Sequence, residues 1–506
     1  MSVRRREVLG ALGIASASSL LWALGCSAPT RSVRRAPQVS DDVRLWLRDA
    51  VERLAAVYPS VHALAVSRRR TTAAHDVLGA GVATLRSDGA VLTVRDHDGT
   101  CREHVTSSLT AEGIDDAATA LGATRARKPI DFGPVPARPA EPPTVDDRDL
   151  RRRVDRLLHA DAALSHRIVY AAALLDLDDA IVWSLAPGRD LEQRLVRIRQ
   201  TATRAAWNGT RPVVRELERA WSGTLDDHTL TDDEITATSE AILEQMTPGR
   251  FEDGAHAVVL DPSVVAILVD TVTRALLTDG AASPLLPTGP ASATETPRFP
   301  TSAASGSGPA SPLLLRGALA SSLFTVIDDP TAAGAYGSFA FDDEGAPATP
   351  LTLIDAGHVT ARLASGRARR PGHLGRVSPA STHLVVSPGN VATSELYGDG
   401  FLLEAGLDAS LDPATGRLRI ACSRARELKA GSATGRIYPD IELVGSITEL
   451  LMAIDAVARD PVSFALPAPQ SLVDPATSDT AASRWASIDA PALRSHAFVR
   501  ARRSRA

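Results

Sequence analysis

The sequence predicts an α+β protein, with an N-terminal α/β layer domain followed by a β-rich C-terminal domain. Three observations carry this. Between Asp41 and Leu121 the hydrophobic pattern runs helix, strands, helix. From about residue 312 to Gly445 short apolar runs alternate with turn residues. The 506 residues, 44% hydrophobic and 23% charged, suffice for two or three domains with sizeable cores.

In chain order, Ser40-Asp41-Asp42 caps a helix to about Tyr58, with Val43, Leu47, Val51 and Leu54 on its inner face. Val61 to Ser67 alternates as a strand. Gly81–Ser87 and Ala90–Arg95 flank Asp88-Gly89 as a β-hairpin, and Asp98-Gly99 turns the chain again. Thr110 opens a helix to about Leu121. A proline-rich linker, Lys128 to Val145, precedes a charged helix around Asp149 to Leu158. Arg167–Leu175 and Ala180–Leu185, on either side of Asp176-Leu177-Asp178-Asp179, read as a second hairpin. Leu195 to Ala206 fits helix or strand on pattern alone. Thr231-Asp232-Asp233-Glu234 is a capping box for a helix to about Met246.

Asp261-Pro262 supplies an N-cap and a first-turn proline for a helix whose Val264, Leu268, Val272 and Leu276 repeat at helical spacing up to Gly280. Ala281 to Ser311 is a Pro/Ser/Gly/Ala insertion that cannot bury a core of its own. In Gly337–Gly345 an aromatic-flanked strand runs into three carboxylates, Asp342, Asp343 and Glu344, and closes on a glycine. A hairpin from Leu351 to Leu363 follows, turning at Ala356-Gly357. Acidic residues beside glycine between β-rich runs are first a turn signal, and second a metal or catalytic site. Ser446-Ile447-Thr448-Glu449 opens a helix to about Arg459. The tail from Pro461 ends on Arg500, Arg502, Arg503 and Arg505, a solvated end or a contact for anionic lipid.

The organisation predicted is a signal over 1–26, a tether over 27–39, an N-terminal domain over 40–127 and a linker over 128–147. A middle α/β region over 148–280 follows, then the insertion, a β-rich domain over 312–460 and a tail over 461–506. The signal rests on Arg4-Arg5-Arg6-Glu7-Val8-Leu9, a basic twin-arginine-like start, and an uncharged run from Val8 to Gly25. It ends in Ala23-Leu24-Gly25-Cys26, a lipoprotein-like box that makes Cys26 the lipidation site; an uncleaved anchor is the alternative. The expected location is the cell envelope, on the periplasmic side.

A net charge of −5 and 4% aromatics exclude nucleic acid as an expected partner. Three cysteines make no disulfide scaffold, and Cys422 alternates with Leu418 and Ile420 as a core residue. Cys101 and His104 form a C-x-x-H without a second pair. His159 and His166 lie seven apart without a third donor, and His256, His358, His373 and His383 lack ligand spacing. There is no G-x-S-x-G elbow, phosphate loop or dinucleotide fingerprint.

Several motifs together resemble the TldD/TldE (PmbA) family of zinc metallopeptidase subunits. They are Val326-Ile327-Asp328-Asp329-Pro330, Phe341-Asp342-Asp343-Glu344-Gly345, Leu353-Ile354-Asp355-Ala356-Gly357, Ser387-Pro388-Gly389-Asn390, Asp412-Pro413-Ala414-Thr415-Gly416, and Gly435 to Gly445 ahead of a last helix. The resemblance spans roughly Asp261 to Asp460, with a weaker match over Asp41 to Leu121. It implies a barrel-like C-terminal domain, a strand at Leu195–Ala206, and subunits that pair around a peptide-binding cavity. It also implies zinc, held by His-Glu-x-x-x-His on the Asp261 helix and by a later cysteine. Here Val269, Asp270 and Arg274 stand at the His, Glu and His positions, and no cysteine follows Cys422. The expectation is therefore a subunit with no catalytic or metal-ligating residues and no cofactor, in a homodimer or a heterodimer with a zinc-bearing homologue. Asp342, Asp343 and Glu344 would be structural or peptide-binding. The alternatives are an active metallopeptidase with a displaced metal site, and an envelope peptide-binding lipoprotein.

Overall fold

The computed structural model describes residues 42–76, 79–134, 145–164, 167–207, 212–244, 251–278, 318–363, 381–466 and 486–502. Cys26, the export segment, the 281–311 insertion, His166 and His373 lie outside them.

The first half is one antiparallel sheet with helices on one face. Helix α1 (Asp42–Ala55) leads into β1 (Ser60–Asp76), β2 (Gly79–Arg95) and β3 (Cys101–Thr106), then helices α2 (Ala111–Ala120) and α3 (Asp147–His159). Three long strands follow, β4 (Tyr170–Ala186), β5 (Arg189–Trp207) and β6 (Pro212–Ser222). The sheet order is β3-β2-β1-β4-β5-β6. The separate middle region expected from residue 148 is thus corrected, because β1 pairs with β4 from Ala63↔Leu185 to His75↔Ala173. Val43, Leu47, Val51 and Leu54 of α1 pack with Ile114 of α2 and with Ala63, Ala65, Leu92 and Leu185 of the sheet.

Two acidic runs expected to turn do not. Asp88-Gly89 lies within β2 opposite Ser67 and Val66, and the Ser67 hydroxyl donates to Asp88 at 2.6 Å. Asp176, Asp178 and Asp179 lie mid-strand in β4, each held by an arginine of a neighbouring strand: Arg70, Arg68 and Arg194. A carboxylate paired across the ladder loses its reason to leave it.

Helix α4 (Asp232–Glu244) starts on the expected box: Glu234 accepts from the Thr231 amide at 2.9 Å, and the Thr231 hydroxyl accepts from the Glu234 amide at 3.2 Å. The C-terminal half holds β7 (Gly254–Leu260), α5 (Pro262–Leu276), β8 (Val326–Asp328), β9 (Leu351–Asp355), β10 (His358–Val359) and β11 (His383–Val386). It continues with β12 (Gly400–Leu411), β13 (Arg417–Lys429), β14 (Ser432–Ser446), α6 (Ile447–Met452), β15 (Ala456–Val457), β16 (Val462–Ala465), β17 (Ser487–Ala490) and β18 (Leu493–Ala501). Strands β14-β13-β12-β7-β18 form a ring that the β14–β18 pairing closes into a five-stranded barrel. The second sheet runs β10-β9-β8-β11-β17-β16. One apolar core joins α5 (Val264, Leu268, Leu276), the barrel (Leu403, Ile420, Ile441, Leu443, Val499) and the sheet (Leu353, Leu384, Ile488).

The tail expected from Pro461 is therefore structural, supplying β16, β17 and β18. Arg500 and Arg502 meet Glu442 rather than forming a free basic end. The helix at Ser446 stops at Met452, because the chain turns there to pair Ala456 with Arg494. Gly337–Gly345 is not a strand: its one β-contact is an isolated bridge between Phe341 and Pro347. The Ala356-Gly357 turn stands as expected, with φ of 45° and 82°, positive at both positions as a two-residue hairpin requires. Cys422 is fully buried in the barrel core, and that burial pushes its thiol pKa up.

Candidate site between the sheet and the acidic loop

Residues 330–348 lie on the sheet face opposite the helices. Tyr336, Phe339 and Phe341 pack against Leu64, Val66, Ala180, Val182 and Leu195. Two side chains of β5 hold the loop's backbone. Gln193 donates to the Phe341 carbonyl at 2.7 Å and accepts from the Ala340 amide at 2.9 Å. Arg197, 1% exposed, donates to the carbonyls of Tyr336 and Ser338 at 2.6 and 2.9 Å. From the second sheet, the Ser487 hydroxyl accepts from the Gly337 amide at 3.2 Å and lies 2.9 Å from His383 Nδ1. The His383 Nε2 stands 3.4 Å from Asp489. This Ser–His–Asp row is a fastening: Ser487 is 2% exposed, too enclosed to meet a substrate.

The carboxylate trio closes the loop. Asp342 Oδ1 accepts from the Glu344 and Ala346 amides at 3.0 and 2.9 Å, an Asx-type turn. Gly345, at φ 74°, presses on β4 and β5: a Cβ there would stand 2.6 Å from both Arg189 Cζ and Ser184 Oγ. Burial, reinforced by the Glu344 and Asp343 charges, pushes Asp342 up to about 7. Burial likewise raises Glu344, against the pull of Arg189. His62 lies 2.9 Å from Ser184 Oγ and is held neutral, with burial and then Arg189 lowering its pKa to about 3. Farther along this face Asp176 receives Arg70 and Arg199 at 2.9 and 3.0 Å. Beside them burial carries Glu218 up to about 7. The arrangement can grip backbone and hold carboxyl groups near their neutral point. It brings together no nucleophile, base and open coordination position.

The sequence reading found the trio but missed Gln193, Arg197, Arg189, His62 and Ser184. A signal existed: Gln193 and Arg197 alternate with Leu195 at inward strand positions, where an apolar side chain is the rule.

Helix α5 begins as expected, with Asp261 accepting from the Val264 amide at 2.8 Å and from the Ala405 amide at 2.9 Å. Val269 is 2% exposed and packs in the core. Asp270, equally buried, pairs with Arg274 Nε one turn on at 2.9 Å. These residues do not fit zinc. Val269 has no donor, Arg274 brings a fixed cation, and the one core thiol, Cys422, is pushed away from its thiolate form. Among the described residues no group of three His, Cys, Asp or Glu is placed to hold a metal ion. Cys101 and His104 are three apart on β3, hence on opposite faces. His256 packs against Phe251 and Phe401 with ring centroids at 5.8 and 4.8 Å, and His358 is exposed.

Residues 302–493 match the model of the PmbA/TldA metallopeptidase C-terminal domain. Over this stretch the chain is similar to that family's C-terminal domain. Metalloprotease MJ0996 of Methanocaldococcus jannaschii is 29% identical over 152 residues, 27% of this chain and 33% of that protein. A metalloprotease of Methanothermobacter thermautotrophicus is 28% identical over 158 residues, 28% and 34% of the two chains. The chain thus spans about a third of the length of the curated relatives it matches. Two solved structures share the fold at 13% identity. One is a Thermotoga maritima protein named as a candidate modulator of a DNA gyrase, with a TM-score of 0.66 over 91% of this chain and all of that one. The other is TldE from Thermococcus kodakarensis, with a TM-score of 0.63 over 90% and 100%. The barrel and the strand at Leu195–Ala206, expected from family resemblance, are present.

Proposed function

We propose that this chain is a member of the TldD/PmbA family, a non-catalytic subunit that supports peptide binding or proteolysis in company with a zinc-bearing homologue. The observation that carries this is the α5 helix, where an aspartate–arginine pair and a packed valine stand at the positions expected to hold zinc. Pro262 to Leu276 contains neither His nor Glu, so no shift of register restores the motif. The relatives named as metalloproteases, and TldE among the structural neighbours, make a partnered role the natural context. The test is elemental analysis of tag-free protein with a peptidase assay, alone and with a motif-bearing homologue. Near-equimolar zinc with chelator-sensitive cleavage by this chain alone would sink the proposal and promote the displaced-site alternative.

The proposed location is the envelope, through twin-arginine export and a lipid on Cys26. Replacing Arg5 and Arg6 by Lys should leave precursor in the cytoplasm; export unchanged by that double substitution refutes the route.

A further inference from the structure

We propose that Arg215 anchors a carboxylate-binding site where β6, α4 and the barrel strands β12 and β13 meet. Several arginines of this sheet follow one pattern. Arg68, Arg70, Arg194 and Arg204 each turn the Nε/Nη2 edge of the guanidinium onto the two oxygens of one aspartate. That edge is the fork that matches a planar carboxylate. Arg215 has the same two atoms, Nε and Nη2, buried without a hydrogen-bond partner among the described residues.

The neighbours sharpen the contrast. Arg215 stands directly opposite Arg204 in the β5–β6 register, and Arg204 is neutralised by Asp161 at 2.9 and 3.0 Å. Like charges opposite each other on paired strands are unfavourable unless each is compensated. On the barrel side Glu404 is taken by Arg424 at 2.7 Å and by Arg426 at 3.4 Å, and Glu244 receives Arg426 at 3.1 Å. Asp261 is occupied by Ser263 Oγ and the amides of Val264 and Ala405. Burial, then Arg424, brings the Arg215 pKa down to about 10, and the attraction of Glu404 and Asp261 does not offset it. Formal charges at the junction balance, Arg215, Arg424 and Arg426 against Glu404, Glu244 and Asp261, so what Arg215 lacks is an acceptor for its fork rather than a counter-charge. Glu404, Glu244 and Asp261 close by disfavour a doubly charged phosphate, so a singly charged carboxylate is the class that fits. A peptide's C-terminal or acidic side-chain carboxylate and a small organic acid share this chemistry. The inference is independent of whether zinc is bound.

The experiment is thermal unfolding of the purified protein and of Arg215→Met, which keeps much of the side-chain volume and removes the charge. The probes, at matched ionic strength, are acetate, tetra-alanine as the free acid, tetra-alanine amide and inorganic phosphate. Wild type should rise by a few degrees with the free acid and not with the amide or phosphate. Arg215→Met should start from a higher midpoint without carboxylate, since two buried donors without acceptors are gone, and should not respond. A rise with acetate as large as with the free acid assigns the site to small organic acids, and a rise with the peptide acid alone assigns it to peptide ends. Arg215→Lys, which keeps charge but loses the fork, separates charge from geometry and should lose most of the response. The inference is overturned by a wild type indifferent to carboxylates, by equal rises with amide or phosphate, or by a response that survives in Arg215→Met.

Discussion

The N-terminal sheet and the C-terminal barrel bury their strands in opposite ways. The barrel interior is apolar, with Leu403, Ile420, Cys422, Ile441, Leu443 and Val499 lining it. The sheet carries ions inside, with Arg197 and Arg204 essentially without exposure and Asp161, Asp176 and Asp178 at 4–6%. Buried ions cost desolvation and return little net stability, so a sheet that keeps them gains geometry instead. Arg197 spends its donors on the loop backbone, and Arg204 spends its donors on Asp161 below α3. The barrel is the scaffold; the sheet is where position is set.

The contrast can be broken hardest at its ions. Asp161→Ala leaves Arg204 buried and unpaired, and should cost about 3–5 kcal/mol in chemical denaturation; a loss under about 1 kcal/mol would show that the sheet does not depend on the pair. In the barrel, Ile441→Ala removes only packing and should cost about 3 kcal/mol, with no change in pH dependence.

The acidic loop sharpens the comparison by pH. Asp342 is pushed from the ordinary carboxylate range up to about 7 by burial and by Glu344 and Asp343, with Arg189 of β5 close by and His62 of β1 near Arg189 in turn. A raised acid binds its proton more tightly in the docked state. Docking is therefore strongest below the ordinary carboxylate pKa, weakens as pH climbs toward about 7, and levels off above it. Amide exchange at Gly345 and Ala346, corrected for the intrinsic pH dependence, should lose protection over that window. Asp342→Asn should flatten the profile, and an unchanged profile in that variant would assign the effect elsewhere. Smallest of all should be the barrel rim. Arg494→Ala removes an exposed pair with Asp455 and should shift stability by less than about 0.5 kcal/mol.

What the sequence made legible follows the same division. Local chemistry was readable: the Asp261-Pro262 start, the Thr231–Glu234 box, the Ala356-Gly357 turn and Cys422 in the core all depend on residues near one another in the chain. By sequence alone Asp88 and Asp176–Asp179 look like turns, because the arginines and serine that hold them in strand interiors come from other strands. By sequence alone the tail from Pro461 is rich in Pro, Ala and Ser and its arginines read as a solvated end, while β18 forms through pairing with β7 and β14. At the candidate site the acidic trio was visible and its surroundings were not. Arg189, Gln193 and Arg197 acquire meaning only once β5 lies beneath the loop.

The closure of the barrel by β18 has a consequence in time. The Ala501 amide reaches the Asp253 carboxylate across 248 residues, and β7 has β18 and β12 as its two neighbours. A ribosome releasing this chain exposes β7 long before either partner exists. The ring cannot shut until β18, which follows every other barrel strand, has emerged. Long-range pairing of this kind is slow and leaves strand edges open meanwhile. Nascent chains stalled before Leu493 should accordingly be cut by protease within β7, and chains released past Ala501 should resist.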